Sequence, residues 1–349
     1  MENEIIYLDR NENNYGPSPV CYEVLQNATL EELSWYSKDF VRGVKSTLSE
    51  RLAEDFHVPE KIILLGYGGE DLLKQVIHCY LSRNETLLIP THSWWYYKSI
   101  AEEKGGITVE YPMRAGEEAF YYDIESQFQL YQEHHPKIIL ISSPNNPTGN
   151  SMSLDELKML LDRMGDAIVV LDEAYWGFGN TQSEYVRDLI SRYPRLLIIR
   201  TFSKYYALAG IRIGFGFFGK DLSTLSQFSA RYLGYNRLSE KLALAALDSR
   251  DYYSAIGQKM LRDKEKYYRE LGKIPGFKIY RSNANFILVD IPEEVKAPLK
   301  DALTKQGILV KFFNEKYLEN SIRITIGTEE QNERLIRAIQ DFVRARKLI

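Results

Sequence analysis

Lys204 lies in Thr201-Phe202-Ser203-Lys204, directly after an apolar run at 196–200 (LLIIR). A lysine at the carboxyl end of a buried strand, flanked by hydroxyls, is placed like a nucleophilic amine. A lone lysine is by default a solvated surface charge, and here that default is weakened by its company. Three other apolar runs also end in polar groups. Residues 62–65 lead into Gly68, Gly69 and Glu70, then a helical pattern; backbone N–H groups and the helix dipole there suit a phosphate, and a ligand-free glycine turn is the alternative. Residues 137–142 (KIILIS) lead into Ser143-Pro144-Asn145-Asn146-Pro147-Thr148-Gly149, a sharp turn in which Asn146 is held extended by the proline after it. It aims an amide at a cleft or only hydrogen-bonds locally. Residues 167–171 (AIVVL) end at Asp172, with Tyr175 three residues on. An acid leaving a buried strand is costly without a partner, so Asp172 is a cap, a salt-bridge member, or the holder of a cationic ligand group. Arg212 follows Lys204 by eight residues.

Taken together, these groups describe one ligand. It carries a phosphate (Gly68, Gly69, Thr201, Ser203, Arg212), a protonatable ring nitrogen (Asp172), a phenolic oxygen (Asn146, Tyr175) and an aldehyde for Lys204. That ligand is pyridoxal phosphate. Asp172 would keep its ring nitrogen protonated, making the ring an electron sink, and Lys204, once displaced by substrate, would shuttle the proton.

These residues must be positioned by alternating strands and helices from about residue 60 onward. Runs at 62–65, 86–89, 107–111, 137–142, 167–171 and 196–200 read as strands, and 93–104 as a helix. Ser153 with Glu156 is a capping-box helix start. Such alternation predicts βαβ units and a mainly parallel sheet with helices on both faces. After about residue 245 the pattern becomes α+β: a long amphipathic helix at 252–271, short strands at 277–280, 285–290, 308–312 and 322–326, and helices at 293–306 and 329–346. The first 35 or so residues contain an extended polar stretch that buries little alone and is expected to lie across the second domain or a partner subunit. The domains expected are an N-terminal arm with part of the small domain (1–40), a large α/β/α domain (41–245) and a small α+β domain (246–349).

Composition narrows the class. The 349 residues carry 44 Lys+Arg against 48 Asp+Glu, a net charge of −4. This balance argues against a dedicated nucleic-acid binder. No apolar run approaches the ~20 residues that span a bilayer. The acidic start, Met1-Glu2-Asn3-Glu4, lacks a signal-peptide pattern. Two cysteines, Cys21 and Cys79, make no disulfide framework. A cytoplasmic protein without a metal centre is expected.

The chain resembles a fold-type-I pyridoxal-phosphate aminotransferase of class I/II, most of all the histidinol-phosphate aminotransferase family. The likeness spans nearly the whole length: 8–19 (LDRNENNYGPSP), 143–149 (SPNNPTG), 172–178 (DEAYWGF), 200–215 (RTFSKYYALAGIRIGF), 282–289 (SNANFILV) and 321–332 (SIRITIGTEEQN). The resemblance implies roles. Lys204 is the Schiff-base lysine, Asp172 the partner of the pyridinium, and Asn146 and Tyr175 the ligands of the ring oxygen. Gly69, Glu70, Thr201, Ser203 and Arg212 form the phosphate cradle. Tyr36 reaches the cofactor phosphate of the neighbouring subunit in a homodimer. Arg323 clamps a substrate carboxylate or phosphate with its bidentate fork, and Asn13 and Tyr15 cover the substrate. His92 stands where the family usually stacks an aromatic residue on the cofactor ring, and Lys311 where an arginine is usual. The activity implied is transfer of an amino group from glutamate to a small phosphate- or carboxylate-bearing carbonyl compound. An amino-acid-phosphate decarboxylase similar to threonine-phosphate decarboxylase is the alternative, and a binding module without turnover is a third.

Overall fold

The computed structural model describes residues 5–37, 46–179, 184–231 and 233–346. In chain order its strands are β1 (Ile6–Leu8), β2 (Ile63–Gly66), β3 (Thr86–Pro90), β4 (Ile107–Tyr111), β5 (Met113–Ala115), β6 (Phe120–Tyr122) and β7 (Ile138–Ser142). These are followed by β8 (Ile168–Asp172), β9 (Leu196–Thr201), β10 (Gly214–Phe218), β11 (Lys278–Tyr280), β12 (Phe286–Asp290), β13 (Ile308–Phe312) and β14 (Ser321–Thr325). Seven strands form the large sheet in the order β2-β10-β9-β8-β7-β3-β4. Only β10 runs against its neighbours. Strands β7, β8 and β9 are buried along their whole length, as continuous apolar runs covered on both faces should be. Two separate apolar clusters fill the two faces. One is centred on Ile139, Ile198 and Phe215, the other on Leu72, Leu140 and Ile199. The layers are therefore α/β/α, as the spacing predicts.

The smaller sheet has the order β1-β13-β14-β12-β11, with its own core, including Phe286, Ile324 and Leu335, packed under the helices Glu293–Lys305 and Glu329–Ala345. The arm expected to lie across another surface enters this sheet: β1 pairs in parallel with β13, Ile6 opposite Ile308. Two features are absent from the sequence reading. Gly214–Phe218 is a strand, and Met113–Ala115 with Phe120–Tyr122 forms a separate hairpin. The helix Arg237–Asp248 runs across the 245/246 position where the sequence suggests a boundary. Its Ala243 and Ala246 pack in the large-sheet core.

The expected helix at 93–104 begins later, at Tyr96. Ser153 caps the helix Leu154–Arg163 as predicted, its hydroxyl accepting from Glu156 N–H.

Candidate active site

The polar groups expected at strand ends converge beyond the carboxyl edge of the large sheet. The phosphate-like corner is built first by backbone. Gly68, at φ +89°, ends the β2 turn and caps the helix Gly69–Tyr80. A Cβ there would lie 2.8 Å from Arg212 Nη2, and one on Gly214 would lie 2.6 Å from the Gly68 carbonyl carbon. Glycine at both positions lets the antiparallel strand and the arginine close on the turn. Thr201 is close enough to Gly69 that a Cβ on the glycine would sit 3.7 Å from its Cβ. Thr201 Oγ1 donates to Ser203 Oγ (2.9 Å) and accepts from Ser203 N–H (3.1 Å). Arg212 lies 3.5 Å from Glu70 and donates to the carbonyls of Ala209 and Tyr67. First-turn N–H groups of a helix have no intrahelical acceptor. This corner therefore gathers backbone donors, a guanidinium and two hydroxyls.

Asp172 ends β8 and is buried. Tyr97 donates its hydroxyl to Oδ2 (2.7 Å), and the Ala174 N–H reaches Oδ1 (3.0 Å). Burial pushes its pKa up, against the pull of those two donors. Among the described residues no cation pairs with it. Tyr97 is the last of four successive aromatics, Trp94 to Tyr97, and the spacing of motifs in the chain does not single it out. Packing selects one member: of the four, only Tyr97 is buried.

Lys204 donates to the Arg10 carbonyl (3.2 Å) and stands 5.8 Å from the centre of the Tyr175 ring. Burial, then the nearby Arg323 and Arg212, lower its pKa to about 8 against a weaker pull from Glu12. Tyr175 is buried, and its hydroxyl accepts from Asn11 Nδ2 (2.8 Å). Burial raises its pKa, while Arg323 and Asn11 oppose that shift.

Arg323, on β14, donates to Asn146 Oδ1 (2.5 Å) and to the Asp9 carbonyl (2.6 Å). Its Nε is buried without an acceptor, and burial lowers its pKa. Lys311 is directly opposite Arg323 in the β13–β14 register, so both project from one face of the small sheet. The only carboxylate within ion-pair reach of Lys311 among the described residues is Glu315, at 3.8 Å.

The arm threads through this cluster. Asp9, Arg10 and Asn11 in succession touch Arg323, Lys204 and Tyr175. Asn11 takes φ +57°, and all its polar groups are used: N–H to Thr325 Oγ1, C=O from Asn285 Nδ2, Oδ1 from Thr325 and Nδ2 to Tyr175. The sequence reading chose Asn13 and Tyr15 and passed over Asn11. Asn13 donates to the Tyr205 carbonyl, beside Lys204. Tyr15 packs against the core of the smaller sheet, beneath Lys259, and its ring makes no described contact with Lys204, Asp172 or Arg323. The apolar wall offers that ring more than the polar cleft does. His92 is buried, with Nδ1 2.9 Å from Thr91 Oγ1 and its ring tilted against Phe120 and Tyr317. Burial lowers its pKa, which favours a neutral ring. Tyr36 stands apart from the cluster and is 70% exposed.

The donor set fits pyridoxal phosphate. Among the described residues, a buried acid without a cation, an amine without a carboxylate and a glycine-lined corner of donors match its ring nitrogen, aldehyde and phosphate. No group of His, Cys, Asp and Glu suited to a metal ion occurs among the described residues, and no helix there is long and apolar enough to cross a membrane.

Comparison with known proteins agrees. The model of the family "Aminotransferase class I and II" matches residues 3–339. A histidinol-phosphate aminotransferase of Ruminiclostridium cellulolyticum is 33% identical over 335 residues, 95% of this chain and 90% of the relative. The crystal structure of histidinol-phosphate aminotransferase from Sinorhizobium meliloti, in complex with pyridoxal-5'-phosphate, superposes with a TM-score of 0.87 at 21% identity, covering 98% of this chain and 92% of that one. The L-threonine-O-3-phosphate decarboxylase of Porphyromonas gingivalis superposes with a TM-score of 0.79 at 20% identity over 97% and 100% of the two chains. One fold thus carries proteins named for two reactions, and fold alone does not choose between them. The chain belongs to the aminotransferase class I and II family.

Proposed function

We propose that this protein is a pyridoxal-phosphate-dependent aminotransferase that takes an amino group from glutamate and passes it to a small phosphate- or carboxylate-bearing carbonyl compound of the histidinol-phosphate type. The observation that carries the reading is the presence at neighbouring strand ends of Lys204, whose amine donates to the Arg10 carbonyl and has its pKa lowered to about 8 by burial, and of Asp172, a buried acid with no cation beside it among the described residues. When bound, the cofactor supplies an electron sink for a carbanion.

The chain's own residues do the rest. Gly69, Glu70, Thr201, Ser203 and Arg212 would hold the phosphate. Asp172, steadied by Tyr97, would hold a proton on the ring nitrogen. Asn146 and Tyr175 would bind the ring oxygen, and His92 would cover a ring face. Lys204, partly neutral near pH 8, has the free electron pair that a carbonyl-reactive amine needs and can then carry the substrate proton. Arg323 supplies a fork for a carboxylate, and its unaccepted Nε is the free tine. Asn13 would lie over the substrate, with Lys311 offering a second charge beside Arg323.

In the same reading the protein works in the cytoplasm as a homodimer, with Tyr36 reaching the neighbouring cofactor phosphate. Leu30, Leu33, Trp35 and Tyr36 are all more than half exposed on one short stretch, which favours a covering partner. The division into a large unit (41–245), a small unit (246–349) and an arm (1–40) belongs to this proposal as well.

The test adds glutamate alone to the holoenzyme and follows the absorbance of the bound cofactor. Conversion from the aldehyde to the amine form, with release of 2-oxoglutarate, is expected. Release of CO2 from a phospho-amino acid without conversion by glutamate would replace this reading with the decarboxylase one.

A further inference from the structure

The helix Arg250–Leu271 carries a buried amine that the proposed chemistry does not use. Lys264 is 3% exposed. Its Nζ donates to the carbonyls of Ser282 (2.8 Å) and Ala284 (3.2 Å), and no carboxylate among the described residues pairs with it. Burying an ammonium without a counter-charge is costly, and burial lowers its pKa to about 8. The two carbonyls belong to the turn between β11 and β12. That turn is where the small sheet grips the site. Asn283 N–H donates to the Gly149 carbonyl (2.7 Å), at the end of the loop that carries Asn146. Gly149 fits there only because it lacks a Cβ, which would fall 2.4 Å from Ser282 Oγ. Asn285 donates to the Asn11 carbonyl (3.0 Å), and Asn11 holds the Tyr175 hydroxyl.

We infer that Lys264 is a positioning residue: by pinning the 282–284 turn to the long helix it fixes, from the small domain, both the Asn146 loop and the Asn11 arm. Tyr268 on the same helix accepts from the Ser282 N–H (3.0 Å), and Lys264 alone on that helix donates to this turn's carbonyls among the described contacts. The amine acts on the site only through backbone, since it touches neither Asn146 nor Tyr175. The inference deepens the proposed function and rests on it only for the kinetic readout.

The experiment compares wild-type holoenzyme with Lys264→Met and Lys264→Gln by hydrogen exchange without substrate, then by steady-state kinetics with glutamate. Lys264→Met is expected to lose protection in two remote segments, 8–15 and 143–150, and to raise KM about tenfold or more with a smaller change in kcat, because Asn146 is the partner of Arg323. Lys264→Gln, which keeps two N–H donors, is expected to recover part of both. Exchange changes confined to 260–290, with KM unmoved, would overturn the inference and leave Lys264 as local packing. If Lys264→Met does not fold, Lys264→Gln carries the same two outcomes. The exchange arm is read without turnover, so it stands or falls separately from the assignment of the reaction.

Discussion

Asp172 and Glu173 are adjacent and both buried, but their side chains end in unlike surroundings. Glu173 is closed off. It accepts from Arg200 Nε (2.7 Å) and from the Tyr185 hydroxyl, and Arg200 Nη2 donates to that same hydroxyl (2.8 Å). The guanidinium also lies 3.9 Å over the Trp176 ring. Asp172 is left with a phenol and one backbone N–H. The difference follows from strand geometry: successive residues point to opposite faces, so one acid meets the packed face and the other the cleft. A buried charge matched within the protein is spent on structure, whereas one left unmatched is available to a ligand.

That contrast can be broken from the cleft side first. Lys204→Ala should lower turnover by about 10⁴-fold, the upper end of what a positioned proton-transfer group contributes, while folding is retained; single-turnover kinetics would read it. Asp172→Ala should cost about 10²–10⁴-fold in kcat, since removing one partner of a buried charge pair, here the acid that would face the cofactor's ring nitrogen, is worth about 3–5 kcal/mol; near-normal kinetics would end the electron-sink role. On the packed side, Glu173→Gln should instead lower unfolding free energy by about 3 kcal/mol and leave turnover per folded molecule nearly intact, a split seen by pairing denaturant melts with kinetics. Tyr97→Phe sharpens the contrast. Losing a hydrogen bond to a charged group, about 1.5–3 kcal/mol, should slow kcat ten- to a hundred-fold and shift the pH titration of the bound cofactor's absorbance, because Asp172 loses a donor that favours its ionised form. The smallest effect concerns pH. With the Lys204 pKa near 8, its neutral fraction rises about tenfold from pH 7 to 9 and then levels, whereas an ordinary lysine gains until about 10.4. Capture of the aldehyde by apoprotein should follow the first curve in stopped-flow absorbance.

Much of this was legible in the chain. Fully buried parallel strands write themselves as unbroken apolar runs, and each run's exit names the residue at the cleft, so Asn146, Asp172 and Lys204 fall where spacing places them. Ser153 and Glu156 announce a helix start by local hydrogen bonding alone. What escaped reading depends on distant partners. Gly214–Phe218 carries two glycines, which lower strand propensity; its place between β2 and β9 is set by the close approach those glycines permit. Tyr97 is one of four aromatics, and only the packing of its helix shows which one meets Asp172. Asn11 is one of five asparagines or acids in a polar stretch, and its contacts to Thr325 and Asn285 lie some 300 positions away.

The pairing of β1 with β13 sets an order of events during synthesis. Strands β2 to β10 are all available once residue 218 has emerged, so the large sheet can close while the ribosome is still at work. Ile6 must wait for Ile308, a loop closure over most of the chain and therefore slow. Until then Asp9, Arg10 and Asn11 have no edge to lie on, and Arg323 and Tyr175 lack their partners. A nascent chain therefore carries a finished scaffold before it carries a finished catalytic pocket.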